Sequence, residues 1–255
     1  MKIATWNVNS IRARHDAVLG WVAATEPDVL CMQETKVVDD DFPTEEFLRL
    51  GYAVAMAGQK TYNGIALASR LPMTDIVVGF HDEPDPDDKR LIRATVGGVR
   101  VYSVYVPNGK SLSSPSYEEK LRFLGRLGET VQKDGGADVP MAICGDFNIA
   151  PDERDVFDPR AMEGKIHFSA EEHRALANLV GLGLVDVFRM HHEEGGRYSW
   201  WDYRGGGFER NLGLRIDLVL ATRALAPRCT GAEIDEAPRR GDKPSDHTPV
   251  VATFS

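Results

Sequence analysis

The sequence predicts an α/β protein in which two mixed β-sheets pack face to face and helices cover their outer sides. Short apolar runs rich in Val, Ile and Leu recur along the chain and predict strands. They occupy positions 3–8, 28–33, 53–57, 65–69, 75–80, 99–106, 141–147, 215–222 and 247–254. Strands outnumber helices, and segment 92–106 has the pattern of a hairpin, which favours mixed sheets over a purely parallel one.

Helical patterns separate some of these strands, at roughly 11–25, 45–51, 117–133 and 170–183. The last begins at Ser169 with Glu172 three residues on, the spacing of a capping box. No linker interrupts the middle of the chain, and single α/β domains commonly reach 255 residues. A single domain over residues 1–255 is therefore expected.

Composition and charge restrict the function without defining it. The formal net charge of −9 argues against a protein that binds polyanions by charge alone, although the spread of Lys and Arg leaves a local basic face open. Cys31, Cys144 and Cys229 show no C-x-x-C spacing and are expected to be core thiols. The chain opens on a strand-like segment and holds no long apolar run, so a cytoplasmic protein with no membrane association is expected.

Predicted strands repeatedly end in, or begin with, polar residues that a shared sheet edge would gather. Loops at such edges are where a rigid scaffold presents functional groups. The gathered set is Asn7, Asn9, Glu34, Tyr105, Asn108, Asp146, Asn148, Asp217, Asp246 and His247. Four converging carboxylates would repel one another unless a cation lay between them. Oxygen ligands suit Mg²⁺, and a set with one His and no thiolate makes zinc the poorer choice.

Each of these residues has a simpler interpretation when taken alone. Glu34 could be a solvated residue after a strand, Asp146 and Asn148 a turn with side-chain hydrogen bonds, and Tyr105 a cross-strand partner. Asp246 could cap the entry to a strand, and a lone His247 is more often structural than catalytic. The functional interpretation depends on their co-occurrence in one order along the chain.

Several blocks spread over the whole chain resemble the exonuclease III family of apurinic/apyrimidinic endonucleases, within the endonuclease/exonuclease/phosphatase superfamily. They are WNVNSIRAR, QETK, GQKTYNGIALASR, YVPNG, GDFNIAP, GLVDVFR, YSWWDYR, LGLRIDLVLA and KPSDHTPV. The resemblance implies a four-layer, deoxyribonuclease I-like sandwich. It also implies a Mg²⁺-dependent nuclease of base-excision DNA repair, with Mn²⁺ able to substitute.

The same resemblance assigns roles to individual residues. Glu34 is similar to the principal metal ligand, and Asn9 and Asp246 lie near a second metal position, with Asp146 and Asn148 also in the metal set. Asn7, Tyr105 and His247 are similar to groups that contact the scissile phosphate, and Asp217 to the carboxylate that orients His247. Asp146 resembles the residue that activates water, with Asn148 holding that water. The sequence leaves open whether Asp146 or His247 is the base, and whether one metal or two act.

The expected partner is double-stranded DNA with abasic sites, nicks or blocked 3′ ends, bound by a monomer. Trp200 and Leu214 match positions that line a small apolar pocket for a base-free sugar, whose extrusion costs less than flipping an intact nucleotide. Trp200 and Trp201 could instead simply pack in the core. Lys36, Lys60, Tyr62 and Asn108 match DNA contacts.

One block departs from family members with strong endonuclease activity. His167 stands where they carry a small residue, and its surroundings, with Asp158 and Pro159, resemble a subgroup weighted toward 3′-end processing. A bulky imidazole at the pocket rim would exclude a continuous strand and still admit a frayed 3′ terminus. The alternative is an exposed loop histidine before a helix.

Two rival functions use the same fold. A phosphatase of inositol phosphates or sphingolipids would share the metal core, but YSWWDYR and LGLRIDL resemble the DNA-repair branch. A non-catalytic binding relative would have lost the metal site, whereas Glu34, Asp146 and His247 are intact here.

Overall fold

Two six-stranded mixed sheets form the framework of the protein. The computed structural model describes residues 1–83 and 86–255. The strands are β1 Lys2–Asn7, β2 Val29–Gln33, β3 Ala53–Ala57, β4 Ile65–Ser69, β5 Met73–Val78, β6 Leu91–Val96, β7 Val99–Tyr105, β8 Met141–Asp146, β9 Leu184–Asp186, β10 Trp200–Trp201, β11 Gly213–Leu214, β12 Asp217–Thr222, β13 Cys229–Ile234 and β14 Val250–Phe254. The helices are α1 His15–Thr25, α2 Thr44–Arg49, α3 Pro115–Lys133, α4 Pro159–Met162 and α5 Ala170–Val180.

The two sheets have the same arrangement around a central parallel pair. The first runs β13-β14-β1-β2-β4-β3 and the second β5-β6-β7-β8-β12-β9. In the first sheet β1 is parallel to β2, in the second β7 is parallel to β8, and the other neighbours within these sheets are antiparallel. A parallel pair needs a crossover connection, which α1 supplies between β1 and β2 and α3 between β7 and β8.

The helices cover the outer faces of both sheets. Helix α1 packs Val18 and Trp21 among the outward side chains of the first sheet, such as Trp6. Helices α3 and α5 cover the second sheet, with Leu127 and Leu179 in its outer cluster. The order helix, sheet, sheet, helix confirms the predicted four-layer sandwich.

The inner face of the first sheet's parallel pair changes from apolar to polar toward the carboxyl ends of its strands. Successive side chains point to opposite faces, so in β1 the inward row is Ile3, Thr5 and Asn7, of which Ile3 lies in the apolar core between the sheets. Beyond that core, Gln33 Nε2 donates to Thr5 Oγ1 at 3.0 Å and, across the sheets, to Ser103 Oγ at 3.0 Å. These hydrogen bonds connect the two sheets at the polar edge of the sandwich.

Some element boundaries differ from those expected from the sequence. Helix α1 begins at His15 rather than near residue 11, because the chain turns through left-handed backbone at Ser10, with φ of 88°. The last strand begins at Val250 rather than 247. The edge strand β13 was not expected at all. Its alternation is interrupted by Gly231 and by a register shift between Cys229 and Gly231, so its periodic signal is weak.

The three cysteines are free thiols and are buried, as expected for core residues. Trp201 is fully buried too, which supports core packing for this second tryptophan. Among residues 1–83 and 86–255, no helix has both the length and the apolar character needed to cross a membrane.

A buried ion-pair cluster fixes the start of β12. Arg215 and Asp155 are both fully buried, and Arg215 Nε lies 2.6 Å from Asp155 Oδ1. Arg215 Nη2 also bonds Asp186 Oδ2 at 2.7 Å, and Arg189 pairs with the same Asp155 carboxylate. This cluster connects three segments: the loop that follows β8, the end of β9 at Asp186, and Arg215, two positions before Asp217.

Replacing Asp155 with Ala is expected to lower the free energy of unfolding by about 3–5 kcal/mol, because Arg215 and Arg189 would lose a shared buried counter-charge. Urea unfolding followed by circular dichroism measures this loss. Glu45→Ala, which removes one partner of the exposed Glu45–Arg49 pair, is the control and should change stability by less than about 1 kcal/mol. A similar loss in both variants would contradict the expectation.

Candidate active site

The two parallel pairs bring polar side chains from distant parts of the chain to one edge of the sandwich. Asn7 ends β1, and Glu34 directly follows β2. In the second sheet Tyr105 and Asp146 are register neighbours at the ends of β7 and β8. Asp217, the first residue of the antiparallel β12, pairs with Asp146. The expected convergence at a shared edge is therefore present.

Three ionisable side chains form the centre of this edge. Glu34, Asp146 and His247 each offer one potential ligand atom, and these atoms lie within 4.8 Å of one another. Asn7 joins the two carboxylates, since its Nδ2 donates to Glu34 Oε1 at 2.8 Å and to Asp146 Oδ2 at 3.0 Å. Asn7 and Asp146 are almost completely buried.

His247 is held between two carboxylates. Its Nδ1 lies 2.9 Å from Asp217 Oδ2, and its Nε2 lies 3.7 Å from Asp146 Oδ2. Burial alone would lower the pKa of His247, but Asp217 and Asp146 outweigh burial and raise that pKa to about 10. The imidazole is therefore protonated at neutral pH.

Asp146 and Tyr105 both hold protons more tightly than usual. Burial, with the neighbouring charges of Asp217 and Glu34, raises the pKa of Asp146 to about 7, even though His247 acts in the opposite direction. Burial and the Glu34 and Asp146 carboxylates raise the pKa of the Tyr105 phenol well above its usual range. Tyr105 is thus a neutral hydrogen-bond donor.

Lys36 supplies a positive charge between two of the expected ligands. Its Nζ lies 2.7 Å from Glu34 Oε2 and 2.6 Å from Asn9 Oδ1. Burial opposes ionisation of Glu34, but Lys36 and Asn7 outweigh it and lower the pKa of Glu34. The ammonium of Lys36 therefore offsets the charge of a carboxylate in the structure, and its contact with DNA stays a prediction.

Asn9 and Asp246 form a neighbouring hydrogen-bonded pair. Asn9 Nδ2 donates to Asp246 Oδ1 at 2.9 Å, and Trp200 Nε1 donates to Asp246 Oδ2 at 3.0 Å. Asp246 does not belong to the group formed by Glu34, Asp146 and His247.

The donor set and the charge balance both fit a divalent cation. Four carboxylates surround the edge, those of Glu34, Asp146, Asp217 and Asp246, whereas Lys36 and His247 supply the positive charges described above. The carboxylate and amide oxygens of this set are hard ligands of the kind that bind divalent cations such as Mg²⁺. The residues present therefore form a cluster that could hold a divalent cation.

Asn148 and its neighbours form the opposite wall of the site. The Asn148 backbone N–H donates to Asp146 Oδ1 at 2.8 Å, and Asn108 Nδ2 donates to Asn148 Oδ1 at 3.1 Å. His167 is half-buried here: its Nδ1 bonds the Asn148 carbonyl at 2.6 Å, and its Nε2 lies 3.5 Å from Asn108 Nδ2. His167 is therefore a packed part of this wall and not an exposed loop histidine.

The other residues expected to contact DNA lie at different depths. Trp200 pairs with Leu214 through β10 and β11, and both join a small apolar cluster that includes Phe168. The backbone of Trp200 also forms an isolated antiparallel β-bridge with His247, which places this apolar patch beside the site. Lys60 is exposed and Tyr62 is 69% exposed on the loop between β3 and β4. Neither forms a hydrogen bond to the cluster in the described residues.

Several residues of the site have left-handed backbone, which is costly for residues other than glycine. They are Asn9, Glu34, Lys36, Asn148 and His167, with φ between 44° and 74°. The surrounding contacts must hold these conformations in place. The concentration of strain at this edge is typical of a functional site.

Sequence reasoning missed residues that orient this set. Ser199 Oγ donates to Asp217 Oδ2 at 2.6 Å and accepts from the backbone N–H of Asp217 at 3.0 Å. The Arg90 guanidinium lies over the Tyr105 ring at 4.6 Å from its centroid. Ser199 could have been noticed as a small polar residue among the aromatic residues of YSWWDYR. No sequence pattern points to Arg90.

The chain resembles known proteins over its whole length. Residues 4–247 match the endonuclease/exonuclease/phosphatase family. The chain is 35% identical to exodeoxyribonuclease III of Haemophilus influenzae, with 100% of each chain covered. A solved AP endonuclease from Archaeoglobus fulgidus is 42% identical with a TM-score of 0.95, covering 100% of this chain and 99% of its own. The 3′ phosphatase NExo from Neisseria, solved as a variant with a product DNA hairpin, is 42% identical with a TM-score of 0.96 and the same coverage.

Identity at this level over complete chains, together with the matching sandwich, shows the family. The chain belongs to the endonuclease/exonuclease/phosphatase family and, within it, to the exonuclease III group of phosphodiesterase-type hydrolases.

Proposed function

We propose that this protein is a Mg²⁺-dependent DNA-repair nuclease that hydrolyses phosphoester bonds at 3′ ends and abasic sites of double-stranded DNA. The observation that carries this proposal is the convergence of Glu34, Asp146 and His247 within 4.8 Å. The whole chain, residues 1–255, would form one domain that acts as a cytoplasmic monomer. The relatives include an exodeoxyribonuclease, an AP endonuclease and a 3′ phosphatase bound to DNA, which supports this range of substrates.

Glu34 and Asp146 would hold the metal ion, with Asn148 beside them and Asn9 and Asp246 at a neighbouring position. A bound Mg²⁺ offsets negative charge on the phosphate oxygens of the substrate, and Mn²⁺ can do the same. Side chains of the protein then bind and orient the phosphate. Asn7, Tyr105 and His247 would contact the phosphate oxygens, with the Tyr105 hydroxyl and His247 Nε2 as donors, and Asp217 keeps the His247 ring oriented.

Asp146 is the better base for the attacking water. The pKa of His247, about 10, leaves the imidazole protonated at neutral pH, so it donates a hydrogen bond and does not accept a proton. Burial raises the pKa of Asp146, which makes this carboxylate a stronger base than an exposed one, and its Oδ2 faces His247 Nε2 at 3.7 Å. Asn148, held by Asn108 and by the Asp146 carboxylate, would position the water.

Asp146→Asn is expected to reduce cleavage of a blunt DNA duplex in Mg²⁺ by on the order of 10²–10⁴, because the base is lost while the shape is kept. Adding EDTA to the wild-type protein should abolish cleavage. Asp16→Asn, which changes an exposed carboxylate on α1, is the matched control and should cleave at the wild-type rate.

Initial rates on the duplex, measured beside inositol phosphates and sphingomyelin, test the assignment. Cleavage that survives EDTA, or hydrolysis of the two non-nucleic substrates alone, would contradict a DNA nuclease.

His167 is proposed to limit cleavage at internal abasic sites, since its ring packs against Asn148 and Asn108 and would reduce the space for a continuous strand. His167→Ser is therefore expected to raise internal abasic-site cleavage roughly tenfold, by removing a steric cost of about 1–3 kcal/mol. The measurement compares an internal abasic-site duplex, a nick with a 3′-phosphate and a blunt duplex in Mg²⁺. His191→Ser, at an exposed histidine, is the control, and unchanged abasic-site cleavage in His167→Ser would remove this role.

Asp217→Asn is expected to lower the pKa of His247 from about 10 toward its usual value, because the carboxylate on Nδ1 is lost. In the wild-type protein the native state holds this proton more tightly than the unfolded chain does. The resulting stability is fully present below about pH 6.5 and is lost as the pH rises through about 10. Imidazole NMR titration in EDTA measures the shift. An unchanged His247 pKa in Asp217→Asn would show that Asp217 does not control the proton.

A further inference from the structure

A buried ion pair behind the site joins the two long helices on the outer face of the second sheet. Lys120, on α3, and Glu172, on α5, are both fully excluded from solvent, and their charged groups are in direct contact. Neither side chain reaches the central group of Glu34, Asp146 and His247. A buried pair is weak evidence for stability, since apolar residues often serve equally well. Its partners indicate a different role.

The Lys120 ammonium uses one of its three donors on Glu172 and the other two on backbone carbonyls of the site wall. Besides Glu172 Oε1, its Nζ donates to the carbonyl of Asn148 at 2.6 Å and to the carbonyl of Asn108 at 3.2 Å. An ammonium has three donors and no acceptor, so this set is complete. One buried charge therefore ties together the two loops that carry Asn108 and Asn148.

Glu172 fixes the third loop of the same wall. Its Oε1 accepts from the backbone N–H of His167 at 3.0 Å, and its Oε2 accepts from the N–H of Ser169 at 3.0 Å and from Ser169 Oγ at 2.7 Å. The capping box predicted at Ser169 thus does more than start α5, because its glutamate also holds the left-handed backbone at His167.

The packing around Lys120 leaves little freedom for these loops. A Cβ added at Gly109 would lie 3.2 Å from Lys120 Cδ and 2.9 Å from Ile166 Cδ1, and φ there is +91°. The loop after β7 therefore rests directly on the lysine stem. The Asn148 carbonyl accepts from both Lys120 and His167, which means that His167 carries its proton on Nδ1 in the neutral ring.

We propose that Lys120 and Glu172 are positioning residues for the phosphoester hydrolysis, which align Asn108, Asn148 and His167 by holding their backbones and touch no substrate themselves. This inference rests on the proposed nuclease function. Small displacements of such groups are costly, because a shift of about 1 Å can reduce a rate by 10²-fold.

The test separates alignment from stability with a neutral replacement of the pair. Lys120→Met alone leaves the Glu172 carboxylate buried without its partner and should lower Tm. The double variant Lys120→Met with Glu172→Gln removes both buried charges. It keeps one amide oxygen, which can replace Oε1 at the His167 N–H or Oε2 at the Ser169 N–H. It should recover part of the lost Tm. Its kcat in saturating 3′-phosphate duplex and Mg²⁺ should still be on the order of tenfold below wild type, since the two carbonyls have lost their shared donor.

A matched control removes an exposed pair on α2 in the other half of the protein. Glu45→Gln with Arg49→Met should leave both Tm and kcat near wild type. A Lys120→Met/Glu172→Gln variant whose kcat recovers together with its Tm would show that the pair serves stability alone. A Lys120→Met variant that keeps the wild-type kcat would likewise show that the pair serves stability alone.

The proposed function fails separately, if the wild-type protein cleaves no DNA in Mg²⁺. Should Lys120→Met not fold, the double variant and its control still decide the question. If the double variant is also too unstable to assay, the pair is structural and the positioning role is overturned.

Discussion

The face-to-face packing of two parallel strand pairs is the constraint on which the rest of the structure depends. Parallel neighbours end at the same edge of a sheet, and two such pairs facing one another bring four carboxyl-terminal strand ends together. The side chains there, Asn7, Glu34, Tyr105 and Asp146, come from both halves of the chain and meet without long loops. Repulsion between the Glu34 and Asp146 carboxylates is the cost of this arrangement, which Lys36 and His247 offset in part.

Much of this arrangement follows from sequence pattern. Buried strands such as β2 and β8 are recognisable because their apolar runs are short and bounded by polar residues, which favours a strand over a longer buried helix. The capping box at Ser169 is a local signal, and the polar residues after strands point to a common edge. The resemblance to a known family then gives individual residues their expected roles, and the comparisons show the family itself.

Other features depend on tertiary contacts that carry no local signal. The edge strand β13 has a bulge and a mixed surface, so its pattern is weak. The pairing of Lys36 with Glu34 and Asn9 follows from the left-handed turns at Glu34 and Lys36, which the sequence pattern does not reveal. Lys120 reads as an ordinary helix residue, since its acceptors lie on loops 12 and 28 residues away in the chain.

The place of β14 between β1 and β13 makes the active site depend on a pairing between distant parts of the chain. Strand β14, Val250–Phe254, pairs with β1, Lys2–Asn7, and His247 lies just ahead of it. Contacts between such distant segments form slowly, because a long loop must close first. The His247 imidazole therefore joins Glu34 and Asp146 only when this pairing has formed, so assembly of the catalytic centre is tied to the slowest kind of contact in the fold.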